Sequence, residues 1–181
     1  IFHLNEGHAS FLSLERLSNL IHKKGLTYRQ AREVVRASSL FTTHTPVPAG
    51  HDHFPEHLMQ DYMYPYSGDL GISWRDFMGL GRVNADAHDE TFNMSHLAIR
   101  LSQEVNGVSK LHGTVSQKMF TKLFPGYTSE ELHIGYVTNS VHYPTWIAND
   151  WHELYLKTFG KSFLREQYNH DHWRKIHTIA D

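Results

Sequence analysis

The chain contains no cysteine, so it has no disulfide framework and no thiolate chemistry, an absence that fits a reducing cytoplasm. It also lacks any apolar run near the roughly 20 residues a membrane-spanning helix needs. Ile1-Phe2-His3 shows no basic region followed by an apolar stretch, so no signal peptide is expected, and the missing initiator Met suggests a chain cut from something longer. Low-complexity tracts, internal repeats and Ser/Gly-rich linkers are missing too. A formal charge of -2 gives no basic excess for phosphate backbones, which argues against a nucleic-acid partner.

What is present is an ordinary globular composition, 40% hydrophobic and 20% charged over 181 residues, enough for one domain with a core. Histidine is the exception, at 16 residues, and 13% of the chain is aromatic. That pairing suits a carbohydrate-binding cleft, and suits a large aromatic core equally well.

The most informative segment is FTTHTPVPAGHDHFP, Phe41 to Pro55. Pro46 and Pro48 keep it from being helical and push Thr45 and Val47 towards extended geometry, while Gly50 permits a turn before His51. Leu40 to Thr43 reads as a buried strand feeding this loop, the place where open α/β sheets bind ligands.

Upstream, residues 9 to 22 have helical spacing and Gly25 as a stop, and Thr27 with Gln30 forms a capping-box pattern for a helix over 28 to 38. Residues 56 to 90, punctuated by Pro65, Gly68, Gly71, Gly79 and Gly81, read as a surface excursion with one short helix from Ser73 to Leu80. Met94, Leu97, Ala98 and Leu101 predict one apolar face of a helix over 92 to 104, stopped by an Asn106-Gly107 turn. A second helix, Ser109 to Leu123, is expected to bury Leu111, Val115, Met119 and Leu123. His133 to Val137 reads as a short strand followed by the polar turn Thr138-Asn139-Ser140. Beyond Trp146 the helix-like pieces do not visibly close a core.

Chemistry read from residue types alone is sparse. His51, His53, Glu56 and His57 are competent metal ligands, yet Pro55 breaks their helical spacing and no HExxH signature occurs, so no metal site is assigned. There is no Gly-x-Ser-x-Gly elbow, and Gly79-Leu80-Gly81 is too short for a phosphate loop. The His170-Asp171-His172 triplet would point its side chains apart on a strand. These observations reach a ligand-binding α/β domain and no further.

HLNEGHASF (residues 3 to 11), the Phe41 to Pro55 segment, FNMSHLAIRLSQEVNGVSKLHGTVS (92 to 116) and YVTNSVHYPTWI (136 to 147) occur in the order seen in α-glucan phosphorylases of the glycogen and maltodextrin type. The chain resembles the bacterial branch of that family. The resemblance implies a helix-rich α/β fragment with few short strands, part of one Rossmann-like domain of a two-domain GT-B type glycosyltransferase. Residues 1–147 would be the later part of the amino-terminal glucosyl-binding domain, and 148–181 an aromatic, His-rich helical tail near the domain crossing.

It further implies glucosyl transfer from an α-1,4-glucan to inorganic phosphate, with retention, in a cytoplasmic and homo-oligomeric enzyme that uses pyridoxal 5'-phosphate. His44 and Asn139 would be catalytic, contacting the glucosyl unit. Glu6, His8, Asp52 and Val108 would line the substrate, and Trp146 would approach the pyridoxal ring. Each has a plainer alternative: His44 as a buried, satisfied histidine, Asn139 as a turn cap, Val108 and Trp146 as core, Asp52 as a solvated loop residue.

Ser140 stands where the family has glycine, which would strain a turn needing positive φ. No lysine sits in the context of the cofactor-bearing one. The isolated chain is therefore expected to be inactive, with exposed strand edges that favour association. The rival readings are a non-catalytic glucan-binding or interaction module and a metal-dependent hydrolase.

Overall fold

The computed structural model describes residues 1–179 and divides into two compact units, Ile1–Asn139 and the part from Ser140 onward. In the first unit the elements run β1 (Phe2–Asn5), α1 (Phe11–Lys24), α2 (Tyr28–Ala37), β2 (Ser39–Thr42), β3 (His53–Phe54), α3 (Glu56–Asp69), α4 (Trp74–Met78), β4 (Phe92–Asn93), α5 (Met94–Arg100), β5 (Glu104–Gly107), α6 (Lys110–Phe120) and β6 (Ile134–Tyr136). Four strands form one parallel sheet in the order β1-β2-β5-β6, with Leu4 opposite Phe41 and Val105 opposite Ile134. β3 and β4 make a separate antiparallel pair. The class is α/β, helix-rich with short strands, as the sequence leads one to expect.

Local signals account for the first helices. α1 ends at Gly25, which takes φ 67 and returns its N–H to the Ile21 carbonyl. α2 begins on a reciprocal capping box, with the Thr27 side chain accepting from Gln30 N–H and the Gln30 side chain from Thr27 N–H.

The sheet buries one face. Leu4, Phe41, Val105 and Ile134 pack with Ala98, Ile99, Phe120 and Leu132, while His3, Asn5 and Glu104 on the other face are exposed. A second core gathers Leu14, Leu17 and Val35 with Met59, Leu70, Phe77, Phe92 and Leu97. α5 lies between the two, so Met94, Leu97, Ala98 and Leu101 are all buried, but against different cores rather than along one face.

Residues 56 to 90 are not a surface excursion. Phe77 and Met78 are fully buried, and so is the Arg82 side chain. Pro65 lies inside α3 rather than ending it, because it sits on the exposed face, where water can satisfy the carbonyl it leaves free. Arg82 is neutralised where it lies: Nη2 donates to Glu56 Oε2 at 2.7 Å and Nε to the Glu90 carbonyl at 2.6 Å. Trp74 Nε1 and His88 also bond Glu56, and Arg82 foremost lowers that carboxyl to about 2.

Two further expectations are revised. Asn106-Gly107 is the end of β5, not a helix-stopping turn, because the segment pairs with β2 and β6. α6 buries His112, Gly113, Ser116 and Phe120 and leaves Leu111 75% exposed, a rotation of about one residue, roughly 100°, from the expected face.

The second unit holds α7 (Tyr143–Trp146), α8 (Asn149–Phe159) and α9 (His170–Arg174). It does close a core of its own. Phe163 stacks edge-on against Trp173 at 5.1 Å and Tyr143 at 5.3 Å, and lies 5.0 Å from Phe159. Aromatic rings spaced irregularly along the chain meet there, a pattern that helical periodicity does not reveal. His170, Asp171 and His172 lie on a helix, with His172 buried and bonded to Glu166 at 3.2 Å.

Candidate functional site

The four parallel strands place their carboxyl ends in a row, and the polar segments found in the sequence leave from those ends. Glu6 to His8 follow β1, Thr43 to Thr45 follow β2, Val108 follows β5 and Asn139 lies three residues past β6. Backbone bonds carry the row one step beyond the strands: Glu6 N–H to Thr42 O at 2.9 Å, Thr43 N–H to Asn106 O at 3.0 Å, Val137 N–H to Gly107 O at 3.0 Å and Asn139 N–H to Val108 O at 2.9 Å.

Glu6 is the centre of this edge. It is the only non-glycine with positive φ among the described residues, at φ 80, a conformation that costs about 1–3 kcal/mol. Its carboxylate recovers the cost by hydrogen bonding. Oε2 accepts from His44 N–H at 2.7 Å and Thr45 Oγ1 at 2.9 Å, and Oε1 from Gly7 N–H at 3.1 Å and Thr43 Oγ1 at 3.4 Å. Burial raises its pKa, but the His44, Thr45 and Gly7 hydrogen bonds, with the neighbouring His51, hold it below the ordinary carboxylate value.

His44 is thereby fixed at its backbone by Glu6, and its ring Nε2 lies 2.7 Å from Asn5 Oδ1. The side chain is exposed, which removes the reading of His44 as a buried, satisfied histidine. Asn5, Thr43 and Thr45 hold the catalytic candidate in place yet carry no signal in the sequence beyond flanking it.

The loop after Thr45 folds through a single 3-10 turn, Pro48–Gly50. Gly50 has no positive φ; its need is space, since a Cβ there would lie 2.6 Å from Thr45 Cγ2. The loop is then anchored by His51, which is buried rather than solvated. Its Nδ1 bonds Ser95 Oγ at 2.7 Å and its ring meets Phe120 edge-on at 5.4 Å. Burial lowers the His51 pKa against the opposing charges of Glu6 and Asp52.

Asp52 is exposed, with its backbone carbonyl taking Met94 N–H at 3.1 Å. His8 is exposed on the Gly7–Ala9 turn and its ring forms no hydrogen bond among the described residues. Val108 is half-buried, and Asn139 is exposed. Trp146 belongs to the second unit, where it is 76% exposed and so not core. Ser140 does not take a positive φ, so the strain expected of a non-glycine there is absent.

The residues that invited a metal reading do not converge. His51 turns to Ser95, His53 to Thr91 and Asn93, and Glu56 to Arg82. Among the described residues no group of three or more His, Cys, Asp or Glu could hold a metal ion.

In open α/β sheets ligands bind at the carboxyl ends of the strands, and this unit collects its polar loops there. Its relatives narrow this. No protein-family model matches the sequence. The chain is 43% identical to glycogen phosphorylase of Mycobacterium tuberculosis, over 99% of its own length and 21% of that protein. Identity to glycogen phosphorylase of Aquifex aeolicus is 40%, over 99% of this chain and 25% of the relative, and to maltodextrin phosphorylase of Thermococcus litoralis 35%, over 100% and 21%. The chain is homologous to a segment of the glycogen and maltodextrin phosphorylases, and it spans a fifth to a quarter of the length of these relatives.

Proposed function

We propose that the chain supplies the glucosyl-facing wall of an α-glucan phosphorylase. The reaction would move a glucosyl unit from the non-reducing end of an α-1,4-glucan to inorganic phosphate, giving glucose 1-phosphate with retention. The observation that carries this reading is the tie between Glu6 and His44 at the sheet edge, within a segment 43% identical to a glycogen phosphorylase. Residues 1–147 would belong to the amino-terminal domain of such an enzyme and 148–181 to the approach to the domain crossing.

A glucosyl unit that leaves with oxocarbenium character needs fixed dipoles around it, not mobile ones. Glu6 provides that rigidity. Its carboxylate accepts four hydrogen bonds, so it would act by fixing the His44 backbone instead of reaching the sugar, and the His44 carbonyl would face the developing positive charge. With Nε2 of His44 bonded to Asn5, its Nδ1 and the Asn139 side chain would bond sugar hydroxyls, and Val108 would offer an apolar wall. His8 and Asp52 stand further along the same loops, and Trp146 on the second unit is exposed to meet an aromatic cofactor.

The resemblance implies pyridoxal 5'-phosphate, whose phosphate group would take part in the transfer when bound. The lysine that would carry it is expected outside this segment, because none of the lysines here sits in the context of the family's cofactor-bearing one.

The test is formation of glucose 1-phosphate from maltoheptaose and phosphate by the full-length gene product. Turnover is expected in the wild type, and His44→Ala should lower it by about a hundredfold or more, the scale of losing one preorganised stabilising group. No turnover by the wild type, or unchanged turnover in the variant, would sink the proposal. Saturable binding of maltoheptaose without turnover would favour the glucan-binding module.

A further inference from the structure

Between β5 and α6 lie only Val108 and Ser109, and this short connection is locked from within by a side chain of the helix it starts. Ser109 Oγ accepts the His112 N–H at 3.1 Å, and His112 Nδ1 in turn accepts the Val108 N–H at 3.2 Å. The Val108 carbonyl takes the Asn139 N–H at 2.9 Å. One residue is thus pinned at both its N–H and its carbonyl, and the second pin carries Asn139.

The imidazole reaches Val108 because α6 sits unusually low on the sheet. A Cβ at Gly113 would lie 3.0 Å from the Gly135 carbonyl and 3.1 Å from Tyr136 Cβ, and one at Gly107 would lie 2.9 Å from Gly113 N. Either methyl would lift the helix and take the imidazole with it. His112 is 7% exposed. With Nδ1 accepting, the proton is assigned to Nε2, which is buried without a hydrogen-bond partner among the described residues.

We propose that His112 is a positioning residue of the candidate site: its Nδ1 sets the backbone of Val108 and, through the Val108 carbonyl, the place of Asn139. This rests on the functional reading above, in which Val108 and Asn139 face the glucosyl unit. His112 itself touches no substrate.

The conservative replacement is asparagine, whose Oδ1 falls near Nδ1, whereas the glutamine amide extends towards Nε2. Three variants of the full-length gene product are compared with wild type: His112→Phe, His112→Asn and His112→Gln. Two readouts are taken, kcat and KM for maltoheptaose phosphorolysis and hydrogen–deuterium exchange of the peptide covering 105–112.

His112→Phe should lose about tenfold or more in kcat/KM, as expected for one buried hydrogen bond, together with exchange protection at Val108. His112→Asn should restore both to within about threefold of wild type. Unchanged kinetics and protection in His112→Phe, or a His112→Asn as impaired as His112→Phe, overturns the proposal. If His112→Phe does not fold, Asn against Gln decides: an active His112→Asn with an impaired His112→Gln supports it, and equal behaviour overturns it. If wild type makes no glucose 1-phosphate the functional reading has failed, and the exchange arm then stands alone, with retained Val108 protection in His112→Phe counting against the positioning role.

Discussion

A guanidinium with 1% of its side chain exposed is tolerable only while its carboxylate stays ionised, and Arg82 depends in this way on Glu56. Removing the acid by Glu56→Ala leaves a buried charge with the Glu90 carbonyl as its remaining partner. The expected loss is about 3–5 kcal/mol in urea unfolding, against under about 1 kcal/mol for a surface ion pair. The pH dependence follows from the same pair. The Glu56 carboxyl is held at about 2, below its unfolded value near 4.5, so the stabilisation is complete above about 4.5 and lost as pH falls towards 2. Thermal melts from pH 6 to pH 2 should show that loss in the wild type and a flatter profile in Glu56→Gln. None of this was legible beforehand. Glu56 reads as a metal ligand beside three histidines, because its partner lies 26 residues away and Pro65 and Gly68 mask α3 between them.

Elements came through unevenly, for a reason α6 makes plain. Its existence follows from apolar spacing, but its inward face is occupied by His112, Gly113, Ser116 and Phe120. Small and polar residues let it approach β5 and β6 closely, and the apolar Leu111 was left outside. Two substitutions separate the faces. Leu111→Lys should change stability by less than about 0.5 kcal/mol, whereas Phe120→Ala, emptying a fully packed position between His51 and His96, should cost about 3–5 kcal/mol by chemical denaturation. A reversed order would restore the face read from periodicity. Where a cap or a short buried run sets the element, as at Thr27 and Leu40 to Thr43, sequence and structure agree closely. The order of motifs also brought Glu6, His44, Val108 and Asn139 to one edge, although nothing in their spacing disclosed that Glu6 faces inward.

Over the whole molecule, parallel sheets are ordinarily covered on both faces, and this one is covered on one. Its outer face is polar except for the half-buried Leu40, and internally bonded: His3 Nε2 meets Thr42 Oγ1 at 2.8 Å, and Thr42 Oγ1 donates to Asn106 Oδ1 at 3.0 Å. The face therefore tolerates water, and the unpaired edges at β1 and β6 are the more adhesive features. Sedimentation velocity of the 181-residue chain should show concentration-dependent association. A concentration-independent monomer that unfolds cooperatively would contradict this. The backbone of Glu6 has a different consequence. At φ 80 glycine is the comfortable residue, so an acid there is kept in place by what its carboxylate binds and not by its backbone. Removing that carboxylate would release the His44 N–H and the reason for the strain together.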